Sequence, residues 1–361
     1  LVFIGTETTI GTTSTQDDMY IRWSDQESIN ASTSYAPSAI NTAGTQRLAD
    51  GTRIVSAIRG RDAIYIWTDT SLFIMRFVGA PFVFSFQQVG TNCGLIGKNA
   101  AVEVDGSAYW MSENGFFRYT GKLDSLACLV EDYVYDDINT VPRQHIYAGL
   151  NNLFGEVTWF YPGSGAASNN RAVTYNYMDS TPERPVWTTS SLARSTWSDS
   201  HIFGKPHATE YDSDATSDST VGNTDGVTTY YEHETGVNQI KAGSSTAIAA
   251  SIESGDFDIS AVQGGGADLR GDGEYMMKIR RVLPDFLQQT GDARVTLNLK
   301  NYPTDAQASS SLGPFTSTTS TTKIDTRARA RAISLKVDNT STGQHWKLGT
   351  FRLDIQADGR R

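Results

Sequence analysis

Residues 63–77 read AIYIWTDTSLFIMRF, two apolar runs joined by the polar residues Thr68, Asp69 and Thr70. Apolar runs of this length, rich in aromatic and branched side chains and separated by a short polar turn, are typical of a β-hairpin. The stretch therefore predicts a pair of antiparallel strands.

The same pattern occurs twice more along the chain. Residues 108–119 read AYWMSENGFFRY, and residues 157–177 place VTWFY and AVTYNY on either side of a loop. The Asn114-Gly115 pair predicts a tight turn in which both positions have positive φ. The first strand of each hairpin carries a tryptophan, and the three are 43 and 49 residues apart: Trp67, Trp110 and Trp159. A repeat of this length favours propeller blades, with a β-sandwich bearing irregular loops as the alternative.

Composition agrees with a β-rich protein. The chain has 361 residues, of which 39% are hydrophobic and 19% charged, with 32 Gly and 16 Tyr. An all-helical protein is excluded, because aromatic residues and turn formers dominate. The densest apolar run, residues 77–86 (FVGAPFVFSF), is shorter than the ~18–20 residues of a membrane span, so we expect none. The chain opens at Leu1 in a strand-like run, and we expect a missing upstream part.

A second region begins near Ser245. Its apolar residues alternate with polar ones, as in Val295, Leu297 and Leu299, which is the pattern of a half-buried antiparallel sheet. Strands are predicted at residues 247–257, 274–283, 293–299, 333–337 and 346–355, and one short helix at residues 132–139. The predicted fold class is all-β, with a propeller-like domain over residues 1–244 and an antiparallel β-sandwich over residues 245–361.

Candidate catalytic and metal sites are weak. The EHE sequence at residues 232–234 lacks the second histidine of a zinc protease motif, since Val237 stands at that position. Asp212 and Asp214 resemble the start of a calcium loop, but the glycine and glutamate that such a loop needs are absent. We find no nucleophile, phosphate-binding or dinucleotide-binding motif. The sequence therefore predicts no enzyme, no metal and no cofactor.

Several segments occur in an order that carries a resemblance to a known family. They include YIRWSDQESINAS (residues 20–32), VGAPFV (78–83), EVTWFY (156–161), ARSTW (193–197), YEHETG (231–236) and WKLGTFRLDIQADGRR (346–361). This series resembles the tail nozzle (tail tubular) and tail-hub proteins of short-tailed double-stranded DNA bacteriophages. The match extends over nearly the whole chain.

The resemblance implies a structural protein of the virion tail. It implies a homohexameric ring below the portal and its adaptor ring, with tail fibres or spikes docked outside. It also implies that genomic DNA passes through the central channel without sequence-specific binding, and it implies no catalytic residues. The alternative is a carbohydrate-binding or depolymerising tailspike, which is also β-rich and aromatic.

The acidic charge of the chain agrees with a DNA conduit. The net charge is −10, and residues 210–234 hold seven carboxylates without a lysine or arginine. Carboxylates repel DNA phosphates within a Debye length of ~8–10 Å, so the duplex slides without sticking. A solvated loop is the plainer interpretation of such a segment. The candidate channel-facing acids are Glu210, Asp212, Asp214, Asp218 and Asp225.

A basic strand near the end of the chain is the candidate subunit interface. Arg327, Arg329 and Arg331 alternate with alanines, so in a strand they share one face. We expect this face to continue into the apolar positions that begin at Ile333. Arginine forks suit paired carboxylates at a subunit boundary, and a solvated sheet edge is the alternative.

Overall fold

The computed structural model describes the chain except for residues 30–31, 201, 213–226, 242, 260–274, 303–309 and 360–361. Its regular structure is almost entirely β-strand in antiparallel pairs, which confirms the predicted all-β class. The chain divides into two compact units, Leu1–Glu234 and Thr235–Arg361. This boundary precedes the predicted one, because a short hairpin at residues 238–247 belongs to the second unit.

Five antiparallel sheets follow one another along the first unit, and consecutive strands are neighbours in each. The first sheet holds β1 (Val2–Glu7), β2 (Gln16–Trp23) and β3 (Gly44–Arg47). The second holds β4 (Ile54–Arg59), β5 (Ile64–Thr68), β6 (Ser71–Gly79) and β7 (Val83–Thr91). The third holds β8 (Ala101–Val104), β9 (Ser107–Ser112), β10 (Gly115–Tyr119) and β11 (Leu123–Leu126). The fourth holds β12 (Tyr147–Asn151), β13 (Glu156–Tyr161), β14 (Arg171–Asn176) and β15 (Trp187–Ser190). The fifth holds β16 (Thr196–Ser198), β17 (His207–Asp212) and β18 (Val227–Glu232).

The second sheet is buried on both faces. Trp67 and Leu72 point to one side and pack with the third sheet, whereas Ile66 and Phe73 point to the other side and pack with the first. A strand that is buried on both faces needs apolar residues at every position rather than at alternate ones. This packing explains the uninterrupted apolar run at residues 63–77.

The three periodic tryptophans occupy equivalent places. Each lies in the second strand of its four-stranded sheet, and each is fully buried: Trp67, Trp110 and Trp159. The repeat seen in the sequence is therefore a repeat of sheets. The turn in the middle hairpin differs from the prediction, because Ser112 pairs with Gly115 and the loop residues are Glu113 and Asn114. Positive φ falls on Gly115, at +121°, and not on Asn114.

Helical structure is limited to short segments. The predicted helix is present as α1 (Glu131–Asp137), and single 3-10 turns occur at Thr13–Thr15, Ser32–Tyr35 and Arg143–His145. Among the described residues no helix is both long enough and apolar enough to cross a membrane.

The second unit is a sandwich of two main sheets with two short ribbons. One ribbon pairs β19 (Asn238–Lys241) with β20 (Ser244–Ala247). The larger sheet holds, in spatial order, β21 (Ser251–Glu253), β27 (Ala332–Asp338), β24 (Ala293–Lys300) and β25 (Ser310–Ser317). The smaller sheet holds β26 (Ile324–Ala330), β22 (Met277–Leu283) and β29 (Arg352–Ala357). The other ribbon pairs β23 (Phe286–Thr290) with β28 (His345–Leu348).

The core of the second unit lies between its two main sheets. As predicted, Val295, Leu297 and Leu299 share the buried face of β24, and they pack against Ile279 and Ala328 of the facing sheet. Residues 346–355, predicted as one strand, contribute instead to β28 and β29 in different sheets. The prediction also missed β23 and β25, whose polar sequences carry little strand signal.

Candidate functional site

The acidic segment is anchored by the last two strands of the first unit. Asp212, at the end of β17, pairs with Val227, at the start of β18, so the segment leaves and rejoins the sheet at one point. Asp214, Asp218 and Asp225 lie outside the described residues, as does the side chain of Asp212. Their predicted position in a channel therefore stays a prediction.

Glu210 differs from the other acidic candidates because its carboxylate is buried. Its side chain is 12% exposed, and Oε2 lies 3.6 Å from Nη1 of Arg194, whose side chain is 4% exposed. The hydroxyl of Tyr231 donates a hydrogen bond of 2.7 Å to the same oxygen. Glu210 thus belongs to a buried ion pair, and we no longer count it among the acids that could line a channel.

Arg194 lies at the centre of a compact polar cluster, which we call the Arg194 cluster and define as Arg194, Glu210, Tyr231 and His233. The guanidinium carbon lies 3.9 Å from the centre of the Tyr231 ring, a cation–π contact. Nε of Arg194 donates a hydrogen bond of 2.9 Å to Nε2 of His233. The Arg194 guanidinium and the Glu210 carboxylate therefore each have partners that offset the free-energy cost of removing a charge from water.

His233 is held in its neutral form. Burial lowers its pKa to about 4, with a further contribution from the positive charge of Arg194. A neutral imidazole can accept the hydrogen bond from Arg194, whereas a protonated one cannot. The neighbouring Glu232 is exposed and Glu234 accepts a hydrogen bond from Asn151, so the EHE residues point in different directions. In the described part of the chain no three His, Cys, Asp or Glu side chains are arranged to hold a metal ion.

Three segments that carry the family resemblance meet at this cluster. The Trp197 ring of ARSTW contacts His233 of YEHETG at 4.5 Å and Phe160 of EVTWFY at 5.5 Å between ring centres. The indole N–H of Trp197 donates to the carbonyl of Leu150 at 2.7 Å. Segments that lie up to 80 residues apart in sequence thus form one packed junction between the fourth and fifth sheets.

The arginines of β26 are exposed, and one of them has an acidic partner in the same unit. Arg327 and Arg329 are exposed on β26, while Ala328 and Ala330 face the core, as the alternation predicted. Arg329 pairs with Asp358 of the same unit at 2.6 Å, and this hydrogen bond lowers the pKa of Asp358. The charge of Arg329 is therefore offset within the chain.

The predicted continuation of the arginine face into Ile333 is wrong. Strand β26 ends at Ala330 in the smaller sheet, Arg331 lies at the bend, and β27 begins at Ala332 in the larger sheet. Odd-numbered residues point outward before the bend, whereas Ile333 points into the core after it. Arg331 therefore marks the point where the chain crosses from the smaller sheet to the larger one.

Two depressions on the described surface are wide and open. One is lined by Arg59, Gly60, Arg61, Glu103, Asp105 and Gly106, and another by Leu312, Phe315, Asp325, Thr326 and Arg327. Their open shape suits contact with another surface more than enclosure of a small molecule. Sequence reasoning overlooked the buried Arg194, because it lies in the polar stretch TTSSLARSTWS (residues 188–198) and nothing local marks it as buried.

Comparison of the chain with protein-family models and with curated proteins finds no match.

Proposed function

We propose that this chain is a subunit of the tail nozzle of a short-tailed double-stranded DNA bacteriophage. In this proposal six copies form a ring below the portal and its adaptor ring, and tail fibres or spikes dock on the outside. The genome leaves the virion through the central channel. The protein acts as a rigid conduit and not as an enzyme.

The observation that carries the proposal is the junction built by EVTWFY, ARSTW and YEHETG. These three segments contact one another through Phe160, Trp197 and His233. The stretches that resemble the family therefore form one packed region and are not isolated surface loops. The resemblance thus follows the packing of the first unit.

The repeated sheets support a structural role. Each small sheet packs against its neighbours through large buried side chains, such as Trp110 against Trp67 at 5.4 Å between ring centres. Such packing gives a stiff body whose loops are free to vary for docking. A conduit needs this stiffness, because its wall must hold its shape while DNA passes.

The charge of the chain supports passage of DNA without binding. The net charge is −10 for each subunit, and six subunits multiply it around the ring. The acids that we propose for the channel are Asp212, Asp214, Asp218 and Asp225. Glu210 is left out because it forms the buried ion pair with Arg194. For the subunit interface we propose the face that carries Arg327, Arg329 and Arg331.

The mass of the particle in solution tests the ring. We expect the purified chain to form a species of about six times 39.4 kDa, with a central hole visible by negative-stain electron microscopy. The Arg327→Glu substitution is expected to weaken assembly of the ring, and Lys347→Glu serves as the matched charge-reversal control. A stable trimer that degrades a polysaccharide would overturn the proposal in favour of a tailspike.

A gel-shift measurement tests the channel charge. The wild-type ring is expected to leave duplex DNA unretarded at low salt. The variant Asp212→Lys/Asp214→Lys/Asp218→Lys/Asp225→Lys is expected to gain salt-sensitive retention, because its lysines would release phosphate counterions. Equal retention by both proteins would show that these acids do not face the DNA.

A further inference from the structure

The β6–β7 hairpin extends beyond its own sheet. Pairing between β5 and β6 ends at Ile64 and Met75, whereas β6 and β7 continue to pair as far as Gly79 and Val83. The four residues from Arg76 to Gly79 carry the hairpin roughly 13 Å past the last neighbour, at ~3.3 Å per residue. The tip is therefore a two-stranded projection.

Apolar side chains are displayed at this tip. Phe77 is 73% exposed and Phe82 is 77% exposed, and Val78 between them is also exposed. Residues 77–86 (FVGAPFVFSF) contain no charged side chain. Exposed apolar residues are ordinary when scattered, but three together on a projection mark a surface that binds something.

The base of the projection is firmly held. Phe84 and Phe86 pack against Trp23 of β2, at 5.4 Å and 5.8 Å between ring centres. The Trp23 indole in turn donates a hydrogen bond of 2.8 Å to the carbonyl of Thr42. The tip is thus presented by an anchored hairpin, so its apolar residues are not loop residues that could fold back onto the core.

The size of the patch favours a lipid surface over a protein partner. Three such side chains expose roughly 400 Å² of apolar area, about half of the ~800 Å² that each partner buries in a standard protein interface. The tip also lacks charged groups that would fix its orientation in a protein pocket. Insertion between lipid headgroups needs no directional contacts, and its strength scales with the apolar area that is buried.

The charges around the base specify the kind of lipid surface. Arg59, at the end of β4, and Arg61, in the turn that follows, line a depression together with Glu103 and Asp105. Arg76 at the base and Asp62 in the turn are exposed, so the region holds three cations and three anions. This balance provides no net attraction to anionic lipids, which leaves apolar insertion as the driving interaction.

We propose that the β6–β7 hairpin inserts Phe77, Val78 and Phe82 into the interface of a zwitterionic phospholipid bilayer. The hairpin enters to the depth of the headgroups and does not span the membrane. This inference stands on the geometry of the first unit and does not depend on the ring.

Flotation with phosphatidylcholine vesicles tests the inference. The wild-type chain is expected to float with the vesicles, and Phe77→Ser/Phe82→Ser is expected to lower the partition by about tenfold or more. Ile40→Ser, at a side chain that is 97% exposed elsewhere in the same unit, is the matched control and should float like wild type. Raising salt from about 0.05 M to about 0.5 M should change little, because screening acts only on charges.

A probe on the tip reports insertion directly. In a Cys128→Ser background, Phe82→Cys is labelled with the polarity-sensitive dye NBD, and Ile40→Cys is labelled in the same way. We expect vesicles to raise and blue-shift the emission at position 82 and to leave position 40 unchanged. Circular dichroism of each variant shows that the fold is kept.

Three results would overturn the inference. They are failure of the wild-type chain to float, flotation that survives the double serine substitution, and an unchanged NBD signal at position 82. If the double variant instead loses self-association while wild type shows no affinity for vesicles, the tip binds a second copy of this chain. The mass of the particle, measured separately, shows whether the ring proposal fails as well.

Discussion

Nε of Arg194 lies 2.9 Å from Nε2 of His233, so a buried guanidinium donates a hydrogen bond to an imidazole that is neutral. The same guanidinium lies over the Tyr231 ring and beside the Glu210 carboxylate. One cation therefore connects residues of β17 and β18 with the segment that precedes β16. The guanidinium thus joins the loop before β16 to both of the longer strands of the fifth sheet.

Removal of the Arg194 charge should destabilise the first unit. Arg194→Met leaves the Glu210 carboxylate buried without its counter-ion, and we expect a loss of about 3–5 kcal/mol in the free energy of unfolding. Urea unfolding followed by tryptophan fluorescence measures this loss, because six of the seven tryptophans lie in the first unit. Arg59→Met, at an exposed position, should change stability by no more than about 0.5 kcal/mol. Equal effects of the two substitutions would contradict a central role for Arg194.

Stability should depend on pH through His233. Its pKa is about 4 in the folded chain against 6.5 as the ordinary value, so between these values the unfolded chain binds more protons. The free energy of unfolding should therefore rise as pH increases from about 4 to about 6.5 and then level off, with His233 contributing up to about 3 kcal/mol.

The variant His233→Gln isolates this contribution. Glutamine keeps an oxygen that can accept from Arg194 but does not titrate. Its unfolding free energy, measured by urea denaturation across the same pH range, should show a shallower slope than wild type. Identical slopes would assign the pH dependence to carboxylates elsewhere.

The three periodic tryptophans should respond differently to loss of the indole N–H. Trp110 donates to the carbonyl of Cys93 at 2.8 Å and Trp159 to that of Ala100 at 3.0 Å, whereas Nε1 of Trp67 has no partner within the described residues. Phenylalanine at position 110 removes the donor that the Cys93 carbonyl accepts from, whereas at position 159 the Ala100 carbonyl still accepts a hydrogen bond from the backbone N–H of Met111. Trp110→Phe should therefore cost about 1 kcal/mol more than Trp67→Phe, with Trp159→Phe between them, as measured by urea unfolding. A larger loss for Trp67→Phe would show that ring volume, and not hydrogen bonding, dominates.

Both cysteines should resist thiol reagents in the folded chain. Burial raises the pKa of Cys93 and of Cys128 to about 11, and Cys93 is fully buried. Only the thiolate reacts, so labelling by Ellman's reagent at pH 8 should be slow for Cys128 and undetectable for Cys93 until the protein unfolds. Single Cys→Ser variants separate the two rates. Rapid release of one equivalent of chromophore from Cys128→Ser would contradict the buried position of Cys93.

The proposed site was less predictable than the fold. The sequence marked Glu210 as one acid among seven, since nothing local shows that Arg194 lies beside it. It likewise could not show that Arg329 pairs with Asp358, 29 residues later, at 2.6 Å. Ion pairs join residues that are distant along the chain, and a charge pattern does not contain that information.

Sequence alone determined the all-β class, the hairpins around Trp67, Trp110 and Trp159, and the alternation along β24, because these features follow from side-chain periodicity within single strands. Tertiary structure decided which faces are buried, where the chain changes sheets at Arg331, and that the apolar run at residues 77–86 forms a projecting hairpin tip. These outcomes depend on which sheet packs against which, and that packing is set by contacts between segments far apart in sequence.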